Sequence, residues 1–287
     1  MTSDRGGPRR TAADRGGPRR TGHGGAITLV GVLNAAPVTP VPQVAALDAG
    51  PVVGARRGVL PYDAVLFDLD GTLTDPEVGI TASYRYALDV VGRSADPDAD
   101  LSWVIGPPLR ENLTLLGVPV ADLPAAADAY RRRHLDVGLY EAVLVPGIAD
   151  LVRRLDAAGV LVALATAKPT LEGELTLAHF GLTSSFAVIG GNTHSGSLTK
   201  AEVVADALRL LGSPDPGRVA MVGDRRHDIE GATANGVTSV GVAWGFAADG
   251  ELAAAGADHV VSSVAELGQL LSRPRAHAAT RTRGTNR

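Results

Sequence analysis

Ala64-Val65-Leu66-Phe67-Asp68-Leu69-Asp70-Gly71-Thr72-Leu73-Thr74 is the stretch that decides the fold. Four consecutive apolar residues run straight into an acid and a turn, the pattern of a short strand buried on both faces. Reading outward, Val160–Ala165, Phe186–Ile189, Val219–Val222, Val237–Val242 and His259–Val261 repeat that pattern. Helical periodicity fills the gaps at about 147–158, 171–180, 200–211, 228–235 and 264–271. Strand–helix alternation predicts an α/β fold, a parallel sheet with helices on both faces. Residues 76–146 break the alternation: Ile80–Val91 and Ala121–Leu139 are helical in pattern, with no convincing strand between 76 and 146. They predict an inserted helical cap after the first strand.

Charge and aromatics bound the folded part. The 287 residues carry a net charge of −4, but residues 60–271 carry −14, while 1–26 carry +4 and 272–287 carry +5. All 11 aromatic residues, Tyr62 through Phe246, lie within 60–271. Segments without aromatics and rich in Gly, Pro and Arg bury too little surface to offset their ordering entropy. We therefore expect disordered tails at 1–59 and 272–287, and a core of 60–75 with 147–271. In the first tail, Asp4 to Thr11 recurs as Asp14 to Thr21, a low-complexity repeat too short to stack. The chain has no cysteine, which excludes disulfides, Cys-ligated metals and a thiol nucleophile. No apolar run approaches the ~20 residues of a membrane span. Ala26–Leu33 is followed by prolines rather than by a cleavage signature, so the expected location is the cytoplasm, with no membrane partner. A strongly acidic folded part argues against nucleic acid as its partner.

Polar residues fall where the strands of such a sheet end, and ligands of open parallel sheets bind beyond those carboxyl ends. Asp68 and Asp70, spaced i and i+2, close the first strand; Thr166 closes the second; Lys200 opens the helix after the third; Asp224 ends the fourth, with Asp228 opening the next helix. Clustered carboxylates repel unless a cation sits among them, and an oxygen-only ligand set suits Mg²⁺. Lysine usage agrees: of 27 basic residues only Lys168 and Lys200 are lysines, and both fall in these motifs.

Asp-x-Asp-Gly-Thr, then Thr, Lys and Gly-Asp-x-x-x-Asp in that order resembles the haloacid dehalogenase superfamily of phosphatases. Val104-Ile105-Gly106-Pro107-Pro108-Leu109 and Ala165-Thr166-Ala167-Lys168-Pro169 further resemble its phosphoglycolate phosphatase-like and 5′-nucleotidase-like branch. The resemblance implies a Rossmann-like core with an inserted cap and a small phosphorylated metabolite as substrate. It implies Asp68 as nucleophile and Asp70 as general acid and base. Mg²⁺ would lie on Asp68, the Asp70 carbonyl and Asp224, with Asp228 close by. Thr166 and Lys200 would bind the phosphoryl group, and Gly71 would allow close backbone approach, with Thr72 beside it. Lys168 and, from the cap, Arg110 are candidates to reach the substrate. A dehalogenase proper lacks the second aspartate, and a phosphonatase needs a cap lysine that 76–146 do not contain. A phosphomutase of the same fold and a non-catalytic phospho-acceptor or binding module stay open. If the tails are placed correctly, a chain cut to residues 60–271 will unfold as cooperatively as the full chain in a thermal melt. A large loss of stability on removing residues 1–59 would move the boundary.

Overall fold

In a computed structural model, which describes residues 60–193 and 197–272, the sheet forms around the apolar run Ala64–Phe67. All of these residues belong to one unit, Val53–Arg287; a second, Met1–Val52, and with it the expected N-terminal tail and its repeat, lies outside the described residues, as do 273–287. β1 (Ala64–Phe67) is completely buried. β2 (Thr74–Asp75) follows the turn, and then come α1 (Glu77–Val90), α2 (Leu109–Leu115), α3 (Leu123–Asp136) and β3 (Val143–Leu144). The chain then alternates: α4 (Ile148–Ala157), β4 (Leu161–Pro169), α5 (Thr170–His179), β5 (Val188–Asn192), α6 (Lys200–Leu210), β6 (Val219–Gly223), α7 (Arg226–Ala234), β7 (Thr238–Val242), α8 (Glu251–Ala254), β8 (His259–Val261) and α9 (Val264–Ser272).

Six strands make one parallel sheet in the order β5-β4-β1-β6-β7-β8. Because side chains alternate across a strand, a sheet covered on both faces needs apolar residues at every position. Val65 and Phe67 of β1, Val162 and Leu164 of β4, and Ala220 and Val222 of β6 enter one core with Ile148, Leu151, Val152 and Leu155 of α4 and Leu267 and Leu271 of α9. Ala64, Leu66, Ala163, Ala165, Val219 and Met221 point the other way, onto Val203, Val204 and Ala207 of α6 and Ala232 of α7.

The helical insertion has its own core. Ile80, Tyr84, Ala87 and Leu88 of α1 pack with Leu113 of α2 and Leu123, Ala126 and Ala129 of α3. The sequence pattern indicates no strand here, yet Val143–Leu144 pairs antiparallel with Thr74–Asp75 at the foot of the insertion. Two residues carry no periodicity, so only the tertiary pairing reveals them. The second strand also runs past Thr166 to Pro169, with its register on β5 breaking between Ala165 and Pro169. Phe67 is fully buried at the centre of the sheet. Phe67→Ala should cost ~3–5 kcal/mol, the usual range for emptying an aromatic core position, read as a lowered urea midpoint at unchanged slope.

Candidate active site

The carboxyl ends of β1, β4 and β6 meet at one place. The ladder fixes β1 against β6, with Phe67 opposite Val222, and carries one residue further as the Asp68 amide donates to the Val222 carbonyl (2.9 Å). After Asp68 the chain folds into a tight turn on the Leu69 carbonyl, which accepts from the amides of Thr72, Leu73 and Thr74. Gly71 lies at φ +81°, and a Cβ there would sit 2.2 Å from Asp224 Oδ2. Glycine is thus required both by the backbone conformation and by the space the carboxylate occupies. The Gly71 and Thr72 amides are both engaged inside the turn, on Thr74 and Leu69. The buried Thr72 hydroxyl has no partner among the described residues.

Three strand ends and the start of α6 deliver the expected groups to this point. Lys200 is the first residue of α6, whose start is fixed by Thr199 accepting from the Glu202 amide. Its ammonium lies 2.7 Å from both Asp68 Oδ1 and Asp228 Oδ1 and 2.9 Å from the Ala165 carbonyl. Burial works against that charge, but Asp228 and Asp68 outweigh it and hold the Lys200 pKa above its ordinary value. Asp228 sits in the first turn of α7 and accepts the Arg225 amide at 3.0 Å. Lys168 lies on Asp70, 2.8 Å from Oδ2, so the structure places this lysine against the second aspartate of the motif. Thr166 is buried; its oxygen accepts the Lys168 amide (3.2 Å), which leaves its O–H to donate. Arg110 stands exposed in the first turn of α2, on the insertion rather than among these groups.

One oxygen from each of Asp68, Asp224 and Asp228 falls within 4.8 Å of the others. Asp224 Oδ2 accepts the Phe246 amide (2.7 Å), while its buried Oδ1 has no hydrogen-bond partner among the described residues. Burial first, and then Asp68 and Asp228, push its pKa up to about 8. An orphaned, buried carboxylate oxygen beside two others is what a hard divalent cation fits. Asp68, Asp224 and Asp228 are the residues that would hold it.

The sequence reading missed the loop after β7. A Cβ at Gly245 would lie 2.4 Å from the Asp224 side chain and 2.5 Å from the Gly71 carbonyl, and a Cβ at Gly223 would lie 2.1 Å from Asp228 Cγ. Gly71, Gly223 and Gly245 all fall at or just past strand ends, and that shared position was the available signal.

Residues 65–242 match the family model described as haloacid dehalogenase-like hydrolase. Over 196 residues the chain is 41% identical to a Mycobacterium tuberculosis protein named tyrosine-protein kinase PtkA, a match that covers 67% of this chain and 66%, just under two thirds, of the relative. It is 37% identical over 218 residues to a 5′-nucleotidase of Pseudomonas aeruginosa, covering 75% of this chain and 98% of the relative. The crystal structure of a predicted phosphatase from Clostridium acetobutylicum superposes with a TM-score of 0.66 at 36% identity, over 72% of this chain and 97% of that one.

A carboxyl group held near pKa 8 keeps its proton at pH 7, and a cation must displace it. Mg²⁺ binding at pH 7 should therefore release a proton and tighten as pH rises to about 8. Calorimetry in two buffers of different ionisation enthalpy reads the release, and an enthalpy independent of buffer would show Asp224 to be ionised beforehand.

Proposed function

The chain belongs to the haloacid dehalogenase-like hydrolase family, and we propose that it is a Mg²⁺-dependent phosphatase of a small phosphomonoester, acting in the cytoplasm through an aspartyl-phosphate on Asp68. The observation that carries this reading is one arrangement. The Asp68 carboxylate sits on the Lys200 ammonium at 2.7 Å, while Asp70, two residues on, is held by the Lys168 ammonium at 2.8 Å. Two acids close in the chain thus have separate electrostatic partners, which suits them to separate tasks.

In this mechanism an Asp68 oxygen attacks phosphorus as the ester P–O bond breaks, and Asp70 gives its proton to the leaving oxygen. A water then attacks the phosphorus, Asp70 takes the water's proton, and the Asp68 carboxylate leaves with release of inorganic phosphate. Lys200 keeps a full positive charge beside the phosphoryl oxygens, and Thr166 donates its hydroxyl to one of them. Lys168 fixes the direction of the Asp70 carboxyl. Bound on Asp68, the Asp70 carbonyl and Asp224, with Asp228 beside it, Mg²⁺ would screen the anionic nucleophile from the anionic phosphate.

Similarity to a 5′-nucleotidase over 98% of its length supports a small ester as substrate, and phosphoglycolate or a related metabolite fits the same site chemistry. A panel of phosphorylated metabolites, assayed for phosphate release with and without Mg²⁺, tests the proposal. Release should need the metal, and Asp68→Asn should lower turnover by roughly 10³-fold or more, as loss of a covalent nucleophile does, with the fold intact by circular dichroism. Transfer of the phosphoryl group to a second site on the substrate, instead of release, would make the enzyme a phosphomutase. Near-normal turnover in Asp68→Asn would remove the covalent step.

A further inference from the structure

Arg225 follows Asp224 directly and opens α7, yet its side chain leaves the core. Nη1 donates to the Ile105 carbonyl of the insertion at 2.9 Å, and Nε donates to Glu251 Oε1 at 3.1 Å. Glu251 also accepts the amides of Arg226 and Ala248, so the acid that aims the guanidinium is itself fixed to the N-terminus of α7 and to the loop after β7. On the other side the acceptor is also fixed. Asn112 Nδ2 donates to the Val104 and Pro107 carbonyls and to the Tyr84 hydroxyl, and Pro107-Pro108 follows. Between Ile105 and Pro107, Gly106 lies at φ +106°, where a Cβ would come 2.6 Å from Arg225 Nη1. The loop thus presents one bare carbonyl and leaves room for one guanidinium.

We propose that Arg225 is a latch that holds the cap closed over Asp68, and that closure of the cap in turn settles the loop carrying Asp224. Two contacts make this link in the same place. Arg225 adjoins Asp224 in the chain, and Phe246, whose amide binds Asp224 Oδ2, packs its ring against the apolar core of the cap. A cap that swings away must give up the Ile105 bond and uncover Phe246 together. Arg225 is a positioning residue: its guanidinium lies on Glu251 and Ile105. The inference rests on the phosphatase reading only for what the cap covers; the latch is a property of the fold.

The absence of cysteine makes the test direct. Leu115→Cys on α2 and Leu210→Cys on α6 place one label on the exposed surface of the cap and one on that of the core. Distances between spin labels on this pair report opening. The full chain should show one dominant distance. Arg225→Ala should add a longer population, with the open-to-closed ratio rising ~10–100-fold, the range expected for losing a charge-assisted hydrogen bond. Gly106→Ala should open the cap from the other side with every core charge retained, which keeps the test valid if Arg225→Ala does not fold. Arg225→Lys, one ammonium facing two separated acceptors, should fall between. The same distance distribution in parent, Arg225→Ala and Gly106→Ala would overturn the latch. Because the distances are read without substrate, that result is separate from a failure to release phosphate, which would overturn the phosphatase reading instead.

Discussion

Three carboxylates within 4.8 Å of one another in a buried place is the constraint that the rest of the structure answers. Like charges withdrawn from water repel strongly, and each left unpaired costs several kcal/mol. Lys200 pairs with two of them, and the third, Asp224, bears its own burial and the repulsion of Asp68 and Asp228, which together raise its pKa. What stops the acids from moving apart is the sheet. β1 and β6 are locked in register between two apolar layers, and the residues that follow those strands have nowhere to go. Glycines at 71, 223 and 245 let the surrounding backbone close in on the acids.

Legibility in the sequence follows from how each element is stabilised. β1 owes its place to its own composition, four apolar residues and a turn, and so it reads without reference to anything distant. The pair β2–β3 exists only because the two ends of an insertion meet there, and neither half has a pattern of its own. α2 is seven residues long and turns a buried polar residue, Asn112, inward to hold a loop, which defeats any reading by apolar period. At the site, the spacing sufficed to bring the acids, Thr166 and Lys200 to one place, because strand ends converge in any parallel sheet. It did not reveal the direction in which Lys168 points, since β4 breaks its register after Ala165 and carries that side chain onto Asp70. Nor did it reveal Gly245 and Phe246, whose role comes from proximity to a motif more than 20 positions upstream.

The division of labour between lysine and arginine has a geometric basis. Lys200 meets three acceptors that diverge around a single nitrogen, which a tetrahedral ammonium can serve and a planar guanidinium cannot. Arg225 faces the opposite problem, two acceptors on different elements, and spreads Nε and Nη1 between them. In a chain with 25 arginines and two lysines, the two lysines stand where a compact charge is needed.

Insertion of the helices immediately after the first strand also sets the order in which the molecule can assemble. Among the described residues β1 pairs with β4 and β6, at residues 161–164 and 219–222. At ~5–20 residues per second of synthesis, its apolar residues emerge on the order of ten seconds before the last of those partners exists. The helices between have their own hydrophobic core and local contacts, so they can form while the sheet still waits. Until residues 219–222 are made, the apolar Ala64–Phe67 segment therefore lacks the neighbours that bury it in the sheet, and in that interval it is exposed to association with other chains.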